Sequence, residues 1–197
     1  MVYCATGNAG KLREFRLAAA RFAVEIAELP GIAQLTPCEE TGRTFEDNAI
    51  LKARYYGAYA PGLLFADDSG LEVDTLGGAP GVFSARYAGP GATDAQNNAL
   101  LLGNMRGRTD RRARFVCVIA LVNRGELIRT FRATVEGELL EEPRGRNGFG
   151  YDPLFYYPPY ARAFGEVSDD EKMAVSHRGK ALSALFRYLS DTAGRGA

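Results

Sequence analysis

Two adjacent carboxylates, Asp67 and Asp68, follow an apolar run at residues 63–66 and precede a Ser-Gly pair. Acids this close together repel each other in a dry site, so they need compensating positive charge. A divalent cation can supply that charge, and carboxylate oxygens are ligands that Mg²⁺ favours. The segment is therefore interpreted either as a metal-binding strand end or as a polar turn exposed to solvent.

A second candidate is the turn at residues 6–11, Thr-Gly-Asn-Ala-Gly-Lys, which lies between a predicted strand and a predicted helix. Backbone N–H groups at a helix N-terminus bind phosphate well, and Lys11 adds a full positive charge. The spacing matches neither a P-loop nor a dinucleotide-binding fold. The alternative is an ordinary strand-to-helix turn with a solvated lysine.

A third candidate combines an acidic pair, Glu39 and Glu40, with the helix that follows it. Asn48 and Lys52 are four residues apart, so they share one face of that helix and can point at one ligand. The alternative is a solvated acidic loop followed by a surface lysine.

Two C-terminal segments contain residues suited to a flat heterocyclic base. In the first, Phe149 or Tyr151 could stack on the base while Asp152 pairs with a ring N–H. In the second, Lys172 and Arg178 could bind phosphate or a purine carbonyl, and His177 could donate to a ring acceptor. The alternatives are a β-turn anchored by aromatic residues and a structural histidine.

The elements that position these residues are predicted from hydrophobic periodicity and capping signals. A predicted hairpin at residues 123–125 argues against a purely parallel sheet, because the two strands of a hairpin pair antiparallel. We therefore expect a mixed α/β protein. The predicted strands are 1–6, 24–26, 63–66, 71–74, 113–122 and 126–136, and the predicted helices are 11–21, 44–60, 93–105, one opening at 168, and 176–189.

The composition excludes several classes of protein. The 197 residues suit one domain or two closely packed lobes, and the hydrophobic share of 46% argues against disorder. The 24 basic and 24 acidic residues cancel, which gives no overall reason to bind nucleic acid or a membrane. The arginine cluster at residues 106–114 is interpreted as a solvated face.

The expected location is the cytoplasm. The three cysteines, Cys4, Cys38 and Cys117, have no spacing typical of zinc ligands or of a disulfide framework. The N-terminus does not look like a signal peptide, and no apolar run reaches the length of a membrane span. The end at residues 193–197 is expected to fray.

Five blocks, at residues 5–8, 67–71, 77–81, 149–153 and 176–180, together resemble the inosine/xanthosine triphosphate pyrophosphatase family, in the family's order and across residues 6–182. The resemblance implies a single domain, 1–197, with an elongated, twisted, mixed β-sheet, flanking helices and two lobes around a central cleft. It also implies a homodimer that cleanses the nucleotide pool. The implied reaction is Mg²⁺-dependent hydrolysis of ITP, dITP or XTP between the α- and β-phosphates.

By position, the resemblance assigns Asp68 as the catalytic residue and a metal ligand, with Glu39 as its metal partner. Asp67 could be a further ligand, and whether Asp68 accepts a proton or only holds the metal stays open. The residues assigned to substrate binding are Thr6, Gly7, Asn8, Ala9, Gly10, Lys11, Lys52, Ser69, Phe149, Gly150, Tyr151, Asp152, Lys172, His177 and Arg178.

Two rival functions remain. One is a related pyrophosphatase of the septum-inhibitor type that prefers modified pyrimidine nucleotides; the segment 176–179 favours the purine interpretation. The other is a nucleotide-sensing module that binds without hydrolysis. The acidic pair argues against it, because a binder gains nothing from extra acids beside a polyanion.

Overall fold

The computed structural model describes residues 1–193, so 194–197, within the end predicted to fray, lie outside the described residues. In this part of the chain no helix is long and apolar enough to cross a membrane. The strands are β1 (Val2–Cys4), β2 (Ile26–Glu28), β3 (Leu63–Val73), β4 (Arg112–Asn123), β5 (Glu126–Leu139), β6 (Phe155–Tyr157) and β7 (Arg162–Ala163). The helices are α1 (Ala9–Arg21), α2 (Phe45–Gly57), α3 (Asp94–Asn104), α4 (Asp169–Val175) and α5 (His177–Ala193).

The seven strands form one mixed sheet in the order β2-β1-β3-β4-β5-β6-β7. Strand β1 pairs in parallel with β2 and β3, whereas β6 pairs antiparallel with β5 and β7. A two-residue turn, Arg124 and Gly125, joins β4 to β5, and both residues have positive φ, at 50° and 86°. These φ values suit the tight turn of a hairpin. The predicted mixed α/β class is confirmed.

The acidic segment lies inside a strand and not at the end of one. We predicted two short strands, 63–66 and 71–74, around a turn, but β3 runs without interruption from Leu63 to Val73. The prediction interpreted the paired acids and the Ser-Gly pair after them as the end of a strand. Ion pairs with lysine and arginine satisfy both carboxylates inside the protein, so the strand continues through them.

The capping signals located the helices well. Thr93 and Gln96 form the predicted capping box of α3, and Ser168 and Glu171 form that of α4. At α2, Thr44 caps the helix by accepting from the backbone N–H of residue 47. Strand β2 begins two residues later than predicted. Strands β6 and β7, of three and two residues, were not predicted.

The chain divides into two compact units, each with its own core. The first unit comprises Met1–Asp68, Cys117–Ala133 and the described chain from Arg178 onwards. At its centre Phe65 packs edge-on against Phe15 of α1 at 5.1 Å between ring centroids, and against Phe186 of α5 at 6.4 Å. These contacts fix α1 and α5 on one face of β3.

The second unit comprises Ser69–Val116 and Thr134–His177. Its core centres on Phe115, whose ring centroid lies 4.6 Å from that of Phe155 and 6.2 Å from that of Phe164. The single domain with two lobes and a central cleft stays a prediction.

Candidate functional site

Asp68 lies in a cluster built from β3 and α2. Its Oδ1 accepts from Lys52 Nζ at 3.0 Å, and its Oδ2 accepts from Asn48 Nδ2 at 3.3 Å. Lys52 Nζ also donates to Glu40 Oε1 at 3.1 Å. Asn48 and Lys52 are one helical turn apart, as their spacing predicts. Two carboxylates therefore share one ammonium group.

The charges of this cluster shift its pKa values. Burial raises the pKa of Asp68 above its ordinary value, and the nearby lysines, Lys52 and Lys11, oppose that rise without cancelling it. Burial would lower the pKa of Lys52, but Asp68, Asp67 and Glu40 outweigh it and hold that pKa above its ordinary value. Lys52 is therefore a permanent cation in this cluster.

Asn48 connects the acidic loop to Asp68. It is fully buried, and its Oδ1 accepts from the backbone N–H of Gly42 at 2.8 Å while its Nδ2 donates to Asp68. A Cβ at Gly42 would lie 2.6 Å from Asn48 Oδ1, which is closer than atoms can approach, so this position needs glycine. One amide thus orients both the loop after Glu40 and the carboxylate of Asp68.

Asp67 belongs to a different set of ion pairs. Its Oδ1 accepts from Lys11 Nζ at 3.0 Å and its Oδ2 from Arg178 Nε at 3.4 Å, and Arg178 Nη1 also donates to Glu14 Oε2 at 2.5 Å. Asp67, Glu14 and Arg178 are all buried. Burial favours the neutral carboxyl, but Lys11 and Arg178 outweigh it and hold the pKa of Asp67 below its ordinary value.

The two aspartates face different helices because successive side chains alternate across a strand. Asp67 shares a face with Phe65 and contacts α1 and α5 through Lys11 and Arg178. Asp68 contacts α2 through Lys52. The repulsion that suggested a shared metal is therefore relieved by separate cations.

The predicted phosphate-binding turn precedes α1. Asn8 caps this helix by accepting from the N–H of Lys11 at 2.9 Å, and Thr6 Oγ1 accepts from the N–H of Asn8 at 3.2 Å. Gly7, Asn8 and Ala9 are exposed. The start of α1 therefore offers solvent-accessible backbone with partial positive charge, which suits an anion.

The base-binding candidates lie in the second unit. Lys172 Nζ donates to Asp152 Oδ2 at 2.5 Å and lies 4.7 Å from the centroid of the Phe149 ring. The N–H of Phe149 donates to the same Asp152 oxygen at 2.8 Å. Lys172 and Asp152 are both buried, so this pair fixes the ring of Phe149 with one face towards a cation.

Two other candidates are held by packing. His177 is buried and stacks on Phe115, with ring centroids 4.7 Å apart and an interplanar angle of 12°. Tyr151 is buried and its hydroxyl donates to the carbonyl of Ser84 at 2.8 Å. These contacts fix the two side chains in the second unit.

Of the residues in and beside the ion-pair clusters, Glu14 was not a candidate from the sequence, whereas Glu40 and Asn48 were candidates without an assigned role. Glu40, and not the exposed Glu39, is the member of the acidic pair that reaches Lys52. Asn48 had been paired with Lys52 but given no contact to Asp68. Glu14 had a signal that was overlooked: it precedes Phe15 and lies four residues before Ala18, so it sits on the buried stripe of α1.

The residues assigned from the resemblance fall into separate groups of contacts. Asp68 and Lys52 meet directly, Lys11 and Arg178 converge on Asp67, and Ser69, half-buried, follows Asp68 in β3. Arg178 was expected at the base, but it forms ion pairs with Glu14 and Asp67, two acids of the first unit. The side chains of Phe149, Asp152 and Lys172 form one contiguous group.

The groups around Asp68 include oxygen donors of the kind that Mg²⁺ prefers. Within residues 1–193 no group of three or more His, Cys, Asp or Glu side chains converges as a ready-made metal cage. Asp68 and Glu40 nevertheless bring two carboxylates to one ammonium group, and the Glu40 side chain is 28% exposed. Mg²⁺ is usually held by one or two carboxylates plus water and phosphate oxygens, so these residues fit it.

The Ham1 family model matches residues 2–188. The dITP/XTP pyrophosphatase of Acidobacterium capsulatum is 48% identical over an alignment of 197 residues, covering 95% of this chain and 97% of that protein. The structure of the Staphylococcus aureus Ham1 protein is similar with a TM-score of 0.86 and 37% identity, covering 98% of this chain and all of that one. A HAM1 protein from Coxiella burnetii also gives 0.86, at 40% identity, covering 97% of this chain and 100% of that one.

Proposed function

Because the chain belongs to the Ham1 family, we propose that it hydrolyses non-standard purine nucleoside triphosphates, namely dITP, ITP and XTP, and so cleanses the nucleotide pool. The products are the nucleoside monophosphate and pyrophosphate. The observation that carries this proposal is the pairing of Asp68 with both Lys52 and Asn48, next to Glu40. Such a cluster of carboxylates and lysine suits phosphoryl chemistry, which needs positioning and charge neutralisation.

The proposed phosphate-binding groups lie at the start of α1 and on α2. The exposed start of α1 at Gly7, Asn8 and Ala9 binds phosphate oxygens through backbone N–H groups. Lys11 adds positive charge there, and Asp67 holds its ammonium in place. Lys52 is the second cation for the polyphosphate, oriented by Asp68 and Glu40.

Asp68 and Glu40 are the residues that would hold Mg²⁺, with Glu39 as the sequence-based alternative to Glu40. When bound, the ion would neutralise charge on the phosphate oxygens and polarise the bond between the α- and β-phosphates. Asn48 and Lys52 each donate to one oxygen of Asp68, so together they fix the orientation of its carboxylate. Asp68 acts there as a metal ligand or as the acceptor of a proton from water.

The proposed base-binding groups centre on the loop at residues 149–152. Phe149 offers a ring face on which a purine can stack, and Lys172 and Asp152 fix the loop that carries it. Gly150, Tyr151 and His177 belong to the same unit and stay as the other proposed base contacts, with Arg178 and Ser69 as predictions from the resemblance.

A substrate panel tests the proposal. Purified protein is given ITP, dITP, XTP, GTP and ATP with Mg²⁺, and released pyrophosphate and orthophosphate are measured separately. We expect pyrophosphate, and not orthophosphate, from the first three substrates, with ATP and GTP turned over poorly. Orthophosphate as the primary product would place the cleaved bond elsewhere, and equal turnover of ATP and ITP would remove the proposed selectivity.

The same assay distinguishes this function from the two rival functions, a pyrimidine-preferring pyrophosphatase and a nucleotide sensor. Faster hydrolysis of modified pyrimidine triphosphates than of ITP would favour the septum-inhibitor type. Tight ITP binding without pyrophosphate release, in wild type and in Asp68→Asn alike, would favour a sensor. Homodimerisation and a cytoplasmic location stay predictions; light scattering of the purified chain tests the first.

A further inference from the structure

Two side chains from the first two turns of α3 bind the backbone N–H and the backbone carbonyl of Gly150. Its N–H donates to Asp94 Oδ2 at 2.7 Å, and its carbonyl accepts from Asn98 Nδ2 at 3.0 Å. Asp94 and Asn98 are four residues apart, so they lie on the same face of the helix. Gly150 has φ of +61°, a conformation that most residues avoid.

The clamped residue lies in the loop that presents the base-binding group. Phe149 precedes Gly150, and Asp152, which anchors Lys172 and the N–H of Phe149, follows two residues later. The far side of the loop is fixed elsewhere: the N–H of Asn147 donates to the carbonyl of Gly165 at 3.0 Å. Helix α3 is thus the second support of the loop, acting at the residue next to Phe149.

Helix α3 has anchors of its own that do not involve Gly150. Its N-terminus is closed by the capping box of Thr93 and Gln96, and Leu101 is fully buried. Asn97 accepts from the N–H of Ala88 at 2.8 Å. Asp94 is exposed and Asn98 only half-buried. The contacts of these two side chains to Gly150 therefore orient the loop. The position of α3 is fixed by its other contacts.

We propose that Asp94 and Asn98 are positioning residues for base recognition, which hold Phe149 in the orientation that stacks on the purine. The inference rests on the proposed function. Selectivity for the base then depends partly on α3, whose side chains at 94 and 98 act on Gly150 and not on the base. The phosphate-binding groups of the first unit have no part in this clamp.

Asp94→Ala and Asn98→Ala test the inference, with Asp94→Asn as the conservative variant and Thr93→Ala as the matched control. Thr93→Ala weakens the cap of the same helix without touching Gly150. We expect each alanine variant at 94 and 98 to raise KM for ITP about tenfold, as for the loss of one hydrogen bond worth about 1.4 kcal/mol. We expect kcat to change less than about twofold, because the kcat step depends on groups of the first unit. Asp94→Asn, which keeps an acceptor oxygen, should restore most of the affinity.

A ligand without a base provides the second measurement. Inorganic tripolyphosphate should bind wild type and all variants equally, by calorimetry, whereas ITP binding should weaken only in the 94 and 98 variants. If the variants at 94 and 98 lost affinity equally for the two ligands, or if Thr93→Ala lost as much affinity for ITP, the contacts to Gly150 would have only a structural role. Either result would overturn the inference. Wild type that binds ITP but releases no pyrophosphate would overturn the proposed function and leave the binding comparison to decide the clamp. Wild type that binds no ITP would overturn both.

Discussion

The carboxylates of Asp67 and Asp68, consecutive residues of β3, bind different lysines from different helices. Asp67 Oδ1 lies 3.0 Å from Lys11 Nζ of α1, and Asp68 Oδ1 lies 3.0 Å from Lys52 Nζ of α2. Because side chains alternate along a strand, the two carboxylates point at different partners. Asp67 is closed in by buried ion pairs, whereas Asp68 shares its lysine with the partly exposed Glu40. We therefore expect substitution of Asp67 to lower stability and substitution of Asp68 to lower activity.

Asp68→Asn should remove catalysis while leaving the fold intact. The amide keeps the size of the side chain but loses the charge for metal binding and for proton transfer, so we expect kcat for ITP to fall at least about 100-fold. Pyrophosphate release with Mg²⁺ is the measurement. Glu72→Gln, in the same strand but paired with Arg114 in the second unit, serves as the control and should retain wild-type kcat. Wild-type turnover in Asp68→Asn would contradict the assignment.

Asp67→Asn should destabilise the first unit. Removing this charge leaves the buried Arg178 and the Lys11 ammonium with less compensation, at a cost of about 3–5 kcal/mol in the free energy of unfolding. Urea denaturation followed by circular dichroism measures the loss. Asp110→Asn removes an exposed ion pair with Arg112 and should leave the midpoint close to that of wild type. Similar midpoints for the two variants would refute a buried ion-pair role for Asp67.

The same residue predicts a pH dependence of stability. The pKa of Asp67 is lower in the folded protein than in the unfolded chain, so the unfolded state binds more protons in acid. The stabilisation by Asp67 is complete above the unfolded pKa of about 3.9 and is lost as the pH falls further. Urea midpoints between neutral pH and pH of about 3 should therefore fall less steeply in Asp67→Asn than in wild type. Parallel curves would show that Asp67 does not contribute.

Glu40→Gln and Glu39→Gln decide between two neighbouring carboxylates. Glu40 reaches Lys52 beside Asp68, whereas Glu39 is exposed. We expect Glu40→Gln to raise the Mg²⁺ concentration for half-maximal activity by about tenfold or more, a typical loss when a metal site is altered. Glu39→Gln is the matched control, since it changes the same chemical group one residue away. A larger shift in Glu39→Gln would restore the assignment made from the sequence.

Phe149→Leu should weaken binding of the base but not of the polyphosphate. Leucine retains apolar area, but it offers no flat face for stacking and no π-system for the nearby Lys172. We expect KM for ITP to rise about tenfold, with the affinity for tripolyphosphate unchanged. Phe83→Leu, at an aromatic side chain that is 57% exposed, is the control. An unchanged KM would show that the base stacks elsewhere.

Local sequence signals determined the helices and most of the strands. Thr93, Gln96, Ser168 and Glu171 mark helix starts because a cap is formed by residues three apart in the chain. The spacing of Asn48 and Lys52 likewise placed both on one face of α2, where both contact Asp68. These features depend on neighbours in the sequence and can be read from it.

The charge partners depended on tertiary structure. Arg178 is 164 residues from Glu14 and 111 from Asp67, and no local pattern relates them. The prediction of a turn at Asp67 failed for the same reason, because the cations that allow the strand to continue come from α1, α2 and α5. The sequence by itself determined which residues carry charge and where the helices begin. Only the folded chain decided which cation neutralises which acid, since long-range ion pairs are set by the packing of distant elements and not by spacing along the chain.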